Sequence, residues 1–327
     1  MKKHILSGFV LASALLFGGC NDDFLERYPL DQVTNQTFWN TENDLRVYNN
    51  SLYDLARNDD NVPILHAHYN GFESHWGSVW FQDEFADNMA PIHPRHTYYQ
   101  QIRSGKHVVP SDPGPQWFGY KGWNFVRAIN VGMANYDKAN VSQAIKDRYI
   151  GEARLMRGWF YAEKVQKFGD VPWVDKELNV DSPELFAART PRAQAMDNVL
   201  ADLNFASTKL PDSWGDGNAP GRINRWCALL VKSRVCLFEG TWRKYHGIDG
   251  ATKWLEEAAA SAKELMDKGP YRLYSTGNPD TDYNAYHRVL NLAGNPEVMY
   301  WRRYQLGVFT NHVQSYFEYA GGATKSM

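Results

Sequence analysis

The chain has 327 residues, a net charge of -2 and an aromatic content of 14%, with 12 Trp, 19 Tyr and 16 Phe. That length allows one large domain or two smaller ones with a real core. The charge is near neutral and no basic run stands out, so nothing points to nucleic acid as a partner, and beyond the N-terminus no apolar stretch reaches membrane-spanning length.

The N-terminus sets the compartment. Lys2 and Lys3 precede an apolar stretch from Ile5 to Phe17, then Gly18, Gly19 and Cys20. This is the layout of a secretory signal over residues 1–19, too short to span a bilayer. Small residues placed directly before a cysteine resemble a lipobox, with Leu16 one position early and Phe17 where an aliphatic usually stands. Cys20 is therefore the expected lipidation site, and two or more acyl chains at about 0.8 kcal/mol per buried CH₂ anchor a protein stably.

In the mature chain the first helix is expected over Asn43–Arg57, where Leu45, Tyr48, Leu52 and Leu55 share a face and Thr41 with Asp44 has capping-box spacing. From Asn61 to about Trp123 periodicity is weak, and Pro91, Pro94, Pro110, Pro113 and Pro115 interrupt it. A loop-rich stretch this long inside a compact chain is usually functional. Helical character returns over Trp123–Asn140. The strongest pattern follows over Ser142–Phe168, where Ile145, Tyr149, Ala153, Met156 and Phe160 step by three or four and Leu155, Trp159 and Ala162 widen the apolar face. Gly169-Asp170 ends it, and Val171–Val174 leaves extended.

Further helices are expected over Arg192–Lys209, Arg222–Trp242 and Gly250–Lys268, separated by the turn-rich Pro211–Gly221 and stopped by Gly269-Pro270. Beyond Tyr271 the chain reads as irregular, with a short extended run over Val298–Trp301. Cys227 and Cys236 fall nine residues apart on one helix, on opposite faces and roughly 13.5 Å apart along its axis, so they cannot pair and read as small buried hydrophobes. The fold class is mainly α: antiparallel helix pairs with small residues at the crossings, in tetratricopeptide-like hairpins with long irregular loops.

Several clusters compete as sites. Glu152, Arg154 and Arg157 sit on the most core-like helix and read as scaffold, holding a helix pair or capping a loop. His66, His68, His75, His93 and His96 lack a carboxylate or cysteine set that would complete a metal shell, so no metal and no cofactor is expected. Asp83, Glu84 and Asp87 are adjacent, which does not give the separation two glycosidase carboxylates need. The aromatics are the better candidates. Trp and Tyr suit a ligand with one apolar and one wet side, such as a sugar ring. Trp76, Trp80, Tyr98, Tyr99 and Trp117 lie in the irregular stretch beside Asn70, Asp83 and Arg95, which could bond hydroxyls. Tyr283, Tyr286, Tyr304 and Tyr316 form a second tier.

An ordered set of segments resembles one family, the SusD/RagB proteins. Phe24-Leu25-Glu26 with Pro29 resembles their entrance after a lipidated cysteine, and Phe38-Trp39 with Asp44 the next block. The stretch from Glu152-Ala153-Arg154-Leu155-Met156-Arg157 to Phe168-Gly169-Asp170-Val171-Pro172 is the closest match. Asp202-Leu203, Leu210-Pro211, Gly221-Arg222, Gly269–Leu273 and Asn295–Met299 follow in order.

The resemblance implies a SusD-like α-helical fold: an N-terminal helical region over residues 20–210, then the last hairpin and the start of a C-terminal region over residues 211–327. Gly321–Met327 resembles a block that normally leads further, so the family pattern implies a chain that stops short. It also implies a non-catalytic surface protein, lipid-anchored at the outer membrane, that binds oligo- or polysaccharide. Its implied partner is a SusC-like TonB-dependent transporter, to which it delivers the glycan. The alternatives within the family are a RagB-type peptide binder and a purely structural transporter lid. Neither the glycan nor any dependence on Ca²⁺ is legible.

Overall fold

A computed structural model describes residues 38–57, 89–91, 101, 104–108, 122–215, 221–289, 291–301 and 324–326. The chain divides into two units, Met1–Asn40 and Thr41–Met327. In the first, the described residues are Phe38–Asn40, where the rings of Phe38 and Trp39 meet edge to face at 5.0 Å.

The second unit is a stack of helices. Helix α1, Glu42–Arg57, opens on the expected capping box: the Thr41 amide donates to Asp44 Oδ2 at 2.7 Å, and the Asp44 amide to Thr41 Oγ1 at 3.3 Å. Its Leu45 and Leu52 are wholly buried. Helix α2, Trp123–Asn135, buries Phe125, Val126 and Ile129 and tightens into a 3₁₀ turn over Tyr136–Lys138, where a single longer helix was expected.

Helix α3, Gln143–Phe168, starts at Ser142, whose Oγ accepts from the Ile145 amide, and ends at Gly169, with φ of 71°. That left-handed backbone favours glycine. The helix is apolar on several sides because it has neighbours on several sides, with α1, α2 and α4 all packing on it. After it, Val171 forms an isolated antiparallel bridge with Thr190.

Helix α4, Arg192–Lys209, has the bounds the sequence predicts. Helix α5, Arg225–Tyr245, starts three residues later than expected. Asn224 caps it, its side chain accepting from the Cys227 amide at 3.1 Å. Ile223 is held outside the helix by a bond from its amide to the Tyr53 hydroxyl at 3.1 Å. Helix α6, Ala251–Lys268, packs closely on α5. The crossing depends on Gly240: a Cβ there would lie 2.8 Å from Leu255 Cγ and Cδ2 and 3.0 Å from the Leu255 amide nitrogen.

Successive helices thus pack pairwise, α3 on α4, α4 on α5 and α5 on α6, in the manner of helical hairpin repeats. Cys227 and Cys236 are buried and unbridged.

One expectation is overturned. The region beyond Tyr271 contains helix α7, Pro279–Arg288. Among the described residues the strands are three-residue segments, β1 (Met89–Pro91) and β2 (Thr324–Ser326), paired antiparallel with Ala90 opposite Lys325.

Charged side chains inside the stack join its helices. Arg157 donates from Nε and Nη2 to the Asp202 carboxylate, and Arg154 Nε donates to Asp202 Oδ1. Glu152, wholly buried, accepts from Arg222 Nε at 2.7 Å, from Asn49 Nδ2 at 2.8 Å and from the Tyr53 hydroxyl. All three residues of the Glu152–Arg157 motif are therefore scaffold.

Candidate functional site

Helix α7 and the loop before it carry a group of partly exposed aromatic side chains with a clear local architecture. Its sequence holds few apolar residues, yet its ends are well marked. Pro279 stands at the start, Asp280 and Asp282 fill the first turn, and His287 and Arg288 fill the last, each with the charge that the helix dipole favours there.

Asp282 fastens the helix to the loop before it. Its carboxylate accepts from the Thr276 amide at 2.9 Å, from Thr276 Oγ1 at 2.5 Å and from Ser275 Oγ at 3.2 Å. The Thr276 hydroxyl, with the amide and the Ser275 hydroxyl, holds the Asp282 carboxyl below its ordinary pKa. The loop is tied in turn to residues 295–297: the Tyr274 amide donates to Glu297 Oε2 at 2.9 Å and the Arg272 amide to the Pro296 carbonyl at 3.1 Å.

Helical spacing places Tyr283, Tyr286 and His287 on one face, and the loop adds Tyr274. Tyr283 and His287 lie with ring centroids 4.2 Å apart, Tyr286 and His287 at 4.9 Å, and Tyr274 and Tyr286 at 5.9 Å. Tyr283 is 76% exposed, Tyr274 and Tyr286 are half-buried, and His287 is exposed. Burial, with a smaller contribution from the Glu297 carboxylate, raises the Tyr286 phenol above its ordinary pKa.

His287 Nδ1 lies 2.8 Å from the Tyr283 carbonyl. A carbonyl only accepts, so Nδ1 carries the proton and, in the neutral ring, Nε2 keeps a lone pair. Asn284 and Arg288 stand on the same helix, exposed, with Arg288 Nη1 3.5 Å from Asn284 Oδ1. The arrangement offers flat ring surface beside hydrogen-bond donors and acceptors of both kinds.

Concavities also lie elsewhere in the stack. A polar cleft of about 470 Å³ is lined by residues of α4, α5 and α6. Its cations are already neutralised, Arg225 by Asp212 and Glu264 and Lys232 by Glu257. The second, of about 620 Å³, is lined by α1, α3 and the segment around Trp214 and Arg222.

The first-tier candidates Trp76, Trp80, Tyr98, Tyr99, Trp117, Asn70, Asp83 and Arg95 lie outside the described residues, as do Cys20, Tyr304, Tyr316, the loop histidines and the Asp83–Asp87 carboxylates. Tyr283 and Tyr286 are the candidates the structure brings together. Tyr274, His287, Asn284 and Arg288 join them unanticipated. The signal for them was Tyr and His spaced three and four apart behind a proline and two aspartates. Among the described residues no group of three His, Cys, Asp or Glu could hold a metal, and no helix is long and apolar enough to cross a membrane.

No family profile matches the chain. A curated SusD-like protein of Bacteroides ovatus is 25% identical over 248 residues, covering 74% of this chain and 40% of that protein. The crystal structure of a SusD-like protein from Bacteroides fragilis superposes with a TM-score of 0.62 at 23% identity, over 86% of this chain and 48% of its own. A structure described as a laminarin-binding SusD-like protein superposes with a TM-score of 0.58 at 18% identity, over 80% of this chain and 51% of its own. The chain spans 40–47% of the length of the curated relatives it matches. Over the part it spans, this chain is in sequence and in fold a relative of the SusD-like proteins.

Proposed function

We propose that this chain takes part in capturing oligo- or polysaccharide at the cell surface without cleaving it, and in passing the ligand to a SusC-like TonB-dependent transporter. In this reading Cys20 carries the lipid that holds the protein at the outer membrane. The observation that carries the reading is the aromatic row of α7, led by the 76% exposed ring of Tyr283. A pyranose lays its C–H face on such a ring, and its hydroxyls meet His287 Nε2, Asn284 and Arg288 at the edge. The shared fold with a laminarin-binding SusD-like protein supports the same ligand class. Trp76, Trp80, Tyr98, Tyr99 and Trp117, with Asn70, Asp83 and Arg95, are proposed as further parts of the saccharide surface.

Isothermal titration of the chain with a panel of neutral oligosaccharides, laminarin oligomers among them, and with a mixed peptide pool tests this. Saccharide binding that falls at least tenfold in Tyr283→Ala, at an unchanged melting temperature, is the expected result. Binding of peptides alone, or saccharide binding indifferent to Tyr283, overturns the assignment.

A further inference from the structure

The cleft of about 620 Å³ has a wall built from aromatic rings and a rim rich in guanidinium. Trp214 forms the wall, backed by the buried ring of Tyr149 with ring centroids 5.4 Å apart. Trp214 is fixed by its indole N–H, which donates to the Ile223 carbonyl at 2.8 Å. Arg222 is wedged against both rings, its guanidinium carbon 5.0 Å from the Trp214 centroid and 5.7 Å from that of Tyr149. The buried carboxylate of Glu152, 2.7 Å from Arg222 Nε, neutralises it. Arg222 therefore holds the wall in place and leaves no net charge for a ligand.

Two other arginines differ. Arg46 and Arg148 are both exposed and line the same cleft. Arg46 donates from Nη2 to the neutral Asn43 Oδ1 at 2.7 Å and has no carboxylate partner among the described residues. The Arg148 side chain makes no hydrogen bond, ion pair or ring contact among them. Among the described lining residues the one acid is Glu42, which accepts from the Tyr149 hydroxyl at 3.1 Å. Among the described residues cationic charge exceeds anionic charge here, beside ring surface, in a concavity within the size range of small-ligand sites, roughly 300–1,000 Å³.

We infer that this cleft binds a carboxylate-bearing sugar residue, its ring against the Trp214 wall and its carboxylate met by Arg46 and Arg148. Planar guanidinium groups bind carboxylate in paired N–H···O bonds, which a neutral hexose does not offer. A concave, aromatic-walled site takes a discrete ring, whereas a lipid headgroup array presents a flat surface to it. The inference rests on the proposed function only in taking the ligand to be a saccharide. It names the acidic class and a second place of contact, independent of α7.

The test titrates the whole chain with galacturonate and glucuronate trisaccharides and with their methyl esters, which keep the sugar and remove the charge. Expected is binding of the free acids that weakens with added salt, drops at least tenfold for the esters, and drops at least tenfold in the double variant Arg46→Gln, Arg148→Gln. Both side chains are exposed, so the melting temperature should not move, and Tyr283→Ala should leave acid binding intact. Equal binding of acid and ester, no change in the double variant, or no binding of any acid overturns the inference. Neutral glycan binding that is lost in Tyr283→Ala while no acid binds would sink the cleft and keep the α7 reading. Acid binding that persists in Tyr283→Ala, with no neutral glycan bound, would do the reverse.

Discussion

Arg157 and Asp202 join α3 to α4 through two parallel hydrogen bonds, Nε to Oδ2 at 2.7 Å and Nη2 to Oδ1 at 2.9 Å. Arg154 Nε reaches the same Oδ1 at 2.7 Å, and the Asp202 side chain is 1% exposed. One buried carboxylate thus answers two arginines. Burial alone would lower the Arg157 pKa, and the hydrogen bonds and charge of Asp202 reverse that, leaving it raised.

Removing that carboxylate should be costly out of proportion to the atoms lost. Asp202→Ala leaves Arg157, 6% exposed in its side chain, without a counter-charge. The expected loss is about 3–5 kcal/mol of folding stability, with Asp202→Asn falling between it and the parent. Urea denaturation followed by circular dichroism measures this. A loss below about 1 kcal/mol would mean that the pair contributes little to the α3–α4 hairpin.

Gly240 should behave opposite to an ordinary helical glycine. Alanine usually stabilises a helix interior by roughly 0.5–1 kcal/mol relative to glycine. At Gly240 the added methyl meets Leu255 at 2.8 Å, including approach to its backbone nitrogen at 3.0 Å, so α6 must shift. Gly240→Ala is expected to cost about 1–3 kcal/mol. Gly158→Ala is the comparison: its nearest atoms, Asp202 Cβ and Leu203 Cδ2, are 3.3 Å away, a contact that a shift of a few tenths of an ångström relieves. The ranking of the two by thermal melting decides the point, and a Gly158 variant more damaged than the Gly240 variant contradicts it.

Alkali should weaken the stack through its tyrosines. Burial first, then the Glu177 carboxylate, pushes the Tyr48 phenol up to about 12. Burial and the Glu42 carboxylate do the same at Tyr149, also to about 12. Tyr53 and Tyr136 are raised well above their ordinary value by burial, with Glu152 adding at Tyr53 and Tyr48 at Tyr136. A phenol whose folded pKa lies above its unfolded value of about 10 keeps its full contribution below that pH and loses it as pH rises through the folded value. The urea midpoint should therefore hold up to pH about 10 and fall between about 10 and 12. A midpoint flat across that interval would show these phenols ionising freely in the native protein.

Much of the scaffold is legible in the sequence because burial imposes a period. The α3 pattern through Tyr149, Ala153, Met156 and Phe160 is realised as buried surface, while Ile145 and Trp159 are half-buried. The start of α5 was misplaced by three residues because tertiary contacts decide it. The Arg222 side chain is drawn to Glu152 and the Ile223 amide to Tyr53, which holds the backbone out of the helix until Asn224 caps it. No local sequence signal reports those partners.

Helix α7 escaped for the converse reason. Its one buried residue is Asp282, so it carries no apolar stripe to be read. Its polar signals, Pro279 and the two aspartates, were present but weak without that stripe. Trp214 illustrates the same limit. A lone tryptophan in a turn-rich loop gives no hint that its indole is pinned to Ile223 and faces a cleft completed by α1 and α3.

The way α7 is fastened has a consequence for how such a protein can diversify. Its anchor is a carboxylate clasp on Ser275 and Thr276, and the preceding loop is moored to the 295–297 turn, whereas α3 to α6 are welded face to face. Substitutions on its outward positions, 283, 284, 287 and 288, leave every interhelical crossing untouched. Selection can therefore retune what the aromatic ledge recognises while the load of folding stays on the inherited pile beneath it, much as a tool head is exchanged on a fixed handle.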